Sequence, residues 1–156
     1  MKKCVFVIGP ESSGSKLIAR VCSHILGIHT FGDWNGTGWC DSGLHKVCHR
    51  SLPYDIPPKF PDIHAWISEN EKDYDIYFIL TTRDITISEF SRFQRWGKPA
   101  SQSKKESEIA RQIMIEVLTG NNKCFIWSYE TFIFLKKEYL DCLYRFLGVQ
   151  SDFMPA

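Results

Sequence analysis

Three groups of residues in this 156-residue chain have types and spacings that can do chemistry. The first is Gly9-Pro10-Glu11-Ser12-Ser13-Gly14-Ser15-Lys16. The apolar run VFVI stops at Gly9, small polar residues follow, and a helical pattern starts at Ser15. Glycines let backbone N–H groups wrap closely around an anion. A helix N-terminus adds partial positive charge, and Lys16 adds a full one. That chemistry is phosphate binding; the plain alternative is a strand-to-helix turn capped by serines.

The order of residues narrows the phosphate chemistry. The consensus G-x-x-x-x-G-K-[ST] places a magnesium-ligating hydroxyl directly after the lysine. Here Ser15 separates Gly14 from Lys16, and the residue after the lysine is Leu17, read as an apolar core residue. No second-strand aspartate suits the metal. Magnesium-dependent nucleoside-triphosphate chemistry is therefore disfavoured, with Ser15 the one hydroxyl that keeps it open.

The second group is TTRDITISEFSRF, residues 81–93. Arg83 leaves a strand where ligands sit, and its planar fork suits a phosphate. Ser91 follows eight residues later in a helix. The pattern turns Ile87 and Phe90 inward and leaves Ser88, Ser91 and Arg95 on another side. A solvated arginine and exposed serines are the alternative. The third group is FIWSYETF, with Tyr129 and Glu130 after an apolar run; alone it reads as a last strand and a docking helix.

Strands are predicted at Cys4–Ile8, His45–Arg50, Asp75–Thr82 and Lys123–Ser128. Helices are predicted at Ser15–Leu26, Asp62–Lys72, Ile85–Trp96, Lys104–Thr119 and Lys136–Leu147. Residues 31–44 read as a functional loop. Alternating strands and helices give an α/β fold, a parallel sheet with helices on both faces, as one domain over 1–156. Ligands in such sheets bind at the carboxyl ends of the strands, where each group falls.

The totals set bounds. The chain is 44% hydrophobic and 24% charged, ordinary for a globular protein. A net charge of +1 argues against a nucleic-acid or membrane surface. No apolar run approaches the ~20 residues of a bilayer span. CVFVI is shorter than the ~7–15 residues of a signal-peptide core, so a cytoplasmic protein is expected. The six cysteines form no C-x-x-C pair; Cys4, Cys22, Cys124 and Cys142 read as small buried hydrophobes.

Together the three groups resemble the sulfotransferases that use 3′-phosphoadenosine 5′-phosphosulfate (PAPS), in a compact microbial or viral form. The family's modified phosphate loop, P-x-S-G-T/S, is matched by Pro10, Ser13, Gly14 and Ser15. Its strand-end arginine and following serine, which hold the 3′-phosphate, are matched by Arg83 and Ser91. Its Tyr-Glu segment and the helix ending Phe-Leu-Gly are matched by Tyr129, Glu130 and Phe146-Leu147-Gly148. The resemblance runs through nearly the whole chain in the family's order. It implies a P-loop NTPase-like three-layer sandwich. It also implies metal-independent sulfuryl transfer to a small-molecule or glycan hydroxyl, or to an amine. Gly9 to Leu17, Arg83, Ser91 and Tyr129 would hold PAPS or its product, 3′-phosphoadenosine 5′-phosphate. The family's loop lysine falls at Ser12, so Lys16 stands in as the cation. The C-terminal R-K-G-x-x-G-D-W segment of cytosolic members is missing.

For the base, VCHRSLP resembles the family's T-H-L-P strand end. Without a gap the family's histidine falls on Ser51; His49 is two residues earlier, on the same strand face. His49 is taken as the catalytic base, with His45, His64, Glu11 and Asp33 as rivals and Arg50 as an aid to anion binding. Cys40, His45, Cys48 and His49 lack the spacing of common zinc sites. Trp34 and Trp39 either line an acceptor pocket or pin their loop to the core. Two other readings stay open: a P-loop kinase using ATP and magnesium, and a non-catalytic nucleotide-binding module of the same fold.

Overall fold

The computed structural model describes residues 2–28 and 39–155. Its strands are β1 (Lys3–Pro10), β2 (Trp39–Asp41), β3 (Lys46–Leu52), β4 (Asp75–Thr82) and β5 (Lys123–Ser128). Its helices are α1 (Ser15–Ile25), α2 (Ile63–Asn70), α3 (Ile85–Trp96), α4 (Ala100–Thr119), α5 (Tyr129–Leu135) and α6 (Lys137–Leu147). The strands form one sheet in the order β2-β3-β1-β4-β5. β1 is parallel to β3 and β4, and β4 to β5. The short edge strand β2 runs antiparallel to β3, inside the stretch expected to be a loop.

Alternation along the central strands builds a core on each face. Val5, Val7, Val47 and Ile79 pack with Ile18, Val21 and Cys22 of α1 and with Leu140, Leu143 and Leu147 of α6. Cys4, Phe6, Ile8, Cys48, Phe78 and Leu80 pack with Ala110, Met114 and Val117 of α4, and Trp66 of α2 joins them. The result is the expected three-layer α/β arrangement. Among the described residues no helix is long and apolar enough to cross a membrane.

Several local expectations are corrected. α4 starts at Ala100, four residues early, with Pro99 at its N-cap; a proline at this end needs no amide hydrogen. α5 fills a segment with no predicted helix, and Ser128 caps it by accepting a bond from Thr131 N (3.1 Å). Ile87 and Phe90 face outward, 47% and 61% exposed, while Ser88 and Arg92 are buried. The cause is Arg92, whose guanidinium ties α3 to Ser103 O and Ser107 Oγ of α4. Leu17 is exposed, and Ile18 takes the inward place on α1. Cys124 and Cys142 are only half-buried.

Candidate functional site

After β1 the chain turns to α1 on one face of the sheet; after β4 it turns to α3 and α4 toward the other. Adjacent strands whose connections diverge leave a crevice at their carboxyl ends. Four residues span it, Glu11 to Gly14. Gly9 is required because β4 comes close: a Cβ there would strike Thr81 Oγ1 and lie 2.7 Å from Thr81 O. Ser13 folds the turn, its Oγ donating to Pro10 O and pairing with Thr81 Oγ1, each at 2.6 Å.

Gly14 has φ +84° and is the N-cap of α1, so no side chain caps the first amide groups. The helix's first bond runs from Ile18 N to Gly14 O (3.3 Å), and its first turn holds no acidic residue. The first turn of α1 thus leaves its N–H groups without a side-chain cap at the positive end of the helix dipole, and Lys16 on that turn is exposed. Ser12 has φ +63°, and its buried Oγ has no hydrogen-bond partner among the described residues.

Arg83 closes the crevice from β4. Its Nη1 donates to Ser12 O (3.1 Å), and its guanidinium carbon lies 4.3 Å from the centre of the Tyr129 ring. Arg83 Nε is buried with no partner among the described residues. Tyr129 also packs under the loop, 3.2 Å from where a Gly14 Cβ would stand. Glu130 Oε1 accepts from Asp84 N (2.7 Å) and fixes α5 against the β4–α3 turn. Asp84 caps α3 through Ile87 N (3.1 Å).

His49 pairs with Val7 in the β1–β3 register, two pairs before Gly9↔Ser51. It is 4% exposed, and its Nε2 lies 2.8 Å from Ser15 Oγ. Burial first, then the charges of Arg50 and Lys16, pulls its pKa down to about 4. His49 is therefore neutral at physiological pH. It borders a cavity of about 160 Å³ with Glu11, Arg50, Ser51, Tyr54 and Trp96. A neighbouring cavity of about 470 Å³ lies between residues 53–58 and the α3–α4 turn.

The remaining candidates separate. Ser91 is half-buried on α3; in the cavity that Arg83 lines beside α3 and α4, the serine from α3 is Ser88. Glu11 is held by Lys98, which also bonds Glu106 Oε2 (2.8 Å). His45 sits at the other end of the sheet, accepting from Lys3 N at Nδ1 (3.0 Å). His64 is exposed on α2. Asp33 and Trp34 lie outside the described residues, and Trp39 gives its backbone to β2. Cys48 points into the α4-side core and His49 toward α1. Among the described residues no group of three or more His, Cys, Asp or Glu could hold a metal ion. Sequence reasoning missed Thr81, Lys98 and Trp96. The small residue Gly9 beside a threonine strand end was the one available sign for Thr81; nothing local pointed to the others.

The chain matches no protein-family model, no curated protein and no solved structure.

Proposed function

We propose that this protein is a PAPS-dependent sulfotransferase with a P-loop-type anion site, working in the compartment where it is made. The observation that carries the reading is Arg83. A strand-end arginine, steadied by Ser12 O and the Tyr129 ring, keeps a buried donor free beside a loop of uncapped amide groups. That arrangement suits a ligand with two anionic groups. The residues present fit such a nucleotide: Gly9 to Leu17 hold its 5′ end, while Arg83 and Tyr129 take the 3′-phosphate side, with Ser91 on the neighbouring helix.

PAPS supplies an activated sulfuryl group on a phosphate leaving group. The loop N–H groups and Lys16 hold the charge on that phosphate. His49 stays neutral and takes the acceptor's proton by way of Ser15: as Ser15 Oγ receives it, Ser15's own hydrogen passes to His49 Nε2. The acceptor, a small molecule or a glycan, enters between Tyr54 and Trp96. The hydroxyl best placed to ligate magnesium, Ser15 Oγ, is engaged by His49, which weighs against the kinase reading.

Calorimetric titration tests this. Tight metal-free binding of 3′-phosphoadenosine 5′-phosphate, with far weaker ATP binding, is the expected result. ATP binding that requires magnesium, with no gain from the 3′-phosphate, would move the kinase reading to first place.

A further inference from the structure

A third cavity, of about 260 Å³, opens on the α4 face of the sheet between α3, α4 and β5. Its walls are apolar: Met114, Ile115, Leu118 and Ile126. Its polar end gathers Arg83, Ser88 and Arg92. Arg92 is 1% exposed and Ser88 3% exposed. The guanidinium of Arg92 donates only to neutral acceptors: Ser88 O (3.3 Å), Ser103 O (3.4 Å) and Ser107 Oγ (3.1 Å). A guanidinium has five N–H groups, so two remain for a further partner. Among the described residues no carboxylate lies within ion-pair distance of Arg92. Ser88 Oγ is buried with no hydrogen-bond partner among them.

The carboxylates of Glu11, Glu89 and Glu106 offset the buried charge of Arg92 from beyond ion-pair distance. Buried polar atoms without partners call for an explanation. The orphaned Ser88 Oγ and the spare N–H groups of Arg92 share one cavity with these apolar walls, and Thr82, Ser107 and Arg111 complete its polar lining. We propose that this cavity is a second binding site, for an amphipathic anion: a carboxylate or sulfate head against Arg92 and Ser88, with an alkyl tail between α4 and β5. Long apolar walls with a few convergent polar groups are the usual make-up of a small-molecule site. Pro10 and Arg83 line this cavity as well as the nucleotide crevice, so the two sites adjoin; the proposal rests on Ser88, Arg92 and the apolar walls and not on the reading of that crevice.

The test is calorimetry with octanoate, octyl sulfate and octanol on the full chain, repeated with Ser88→Ala and Leu118→Trp. Both substitutions avoid Arg92, whose loss would loosen α3, and thermal melts check that each variant is folded. Octanoate or octyl sulfate should bind at least about tenfold more tightly than octanol, as charge-assisted bonds to a buried donor require. Whichever anion binds more tightly identifies the head group. Ser88→Ala should weaken the anions and leave octanol unchanged; Leu118→Trp should abolish binding of all three. Equal binding of octanol and the anions, no binding to folded wild type, or anion binding unchanged in Leu118→Trp would overturn the proposal. So would displacement of octanoate by 3′-phosphoadenosine 5′-phosphate with matching losses in Ser88→Ala, which would assign the cavity to the nucleotide.

Discussion

Ser15 Oγ and His49 Nε2 lie 2.8 Å apart, one on the first turn of α1 and the other on β3. Both side chains are buried, 4% exposed each. The bond joins the first turn of α1 to β3, and it holds an imidazole in a place where the charged form is disfavoured.

The pH dependence of stability follows from that place. The native pKa of His49, about 4, lies below its ordinary 6.5. Between those values the unfolded chain binds a proton that the native state does not. His49 therefore costs nothing above about pH 6.5, and the protein loses stability as pH falls toward about 4. The loss reaches about 3 kcal/mol and then levels off. Urea titrations across pH 4–7 should show this slope, and His49→Asn should flatten it. A ring-proton NMR titration with a midpoint near 6.5 would refute the assignment.

Ser15→Ala removes the partner of a buried imidazole nitrogen. We expect a loss of about 1–2 kcal/mol of stability, read from urea midpoints at pH 7. A variant as stable as wild type would mean that the bond does not hold the loop to β3.

Arg83 should dominate nucleotide affinity. Arg83→Ala is expected to weaken binding of 3′-phosphoadenosine 5′-phosphate by about 10–100-fold, the range for a charge-assisted bond. Arg83→Lys should recover little, since lysine lacks both the fork and the flat face that rests on Tyr129. Full affinity in either variant would remove Arg83 from the site.

Lys98 joins the loop to α4 by bonding Glu11 and Glu106, with side chains only 13%, 17% and 8% exposed. Lys98→Met would leave two neighbouring carboxylates without their shared cation, at a cost of about 3–5 kcal/mol. Chemical unfolding at pH 7 measures it.

The fold was legible where patterns are long. CVFVI and DIYFILTT announce buried parallel strands, and the apolar spacing of α1 and α6 announces packed helices. Ser15 and His49 are 34 residues apart, and their contact depends on β1–β3 register, which no local spacing encodes. α3 misled in a different way. Ile87, Phe90 and Phe93 form an apolar stripe that ought to be inside, yet the helix packs through Ser88 and Arg92. A single arginine with three acceptors on neighbouring backbone and side chains outweighs a hydrophobic pattern there. α5 escaped because seven residues with one buried side chain, Phe132, carry no readable period.

The crevice at the end of β1 exists because the chain leaves β1 and β4 toward opposite faces of the sheet. Backbone connectivity, rather than any one side chain, sets its place in the fold. Shape and chemistry are thus inherited separately in this molecule: connectivity supplies a permanent opening, and a handful of residues decides what it holds. Replacing Arg83 or Ser12 would change the chemistry at the opening while leaving the opening where it is, so the proposed specificity can be altered one side chain at a time.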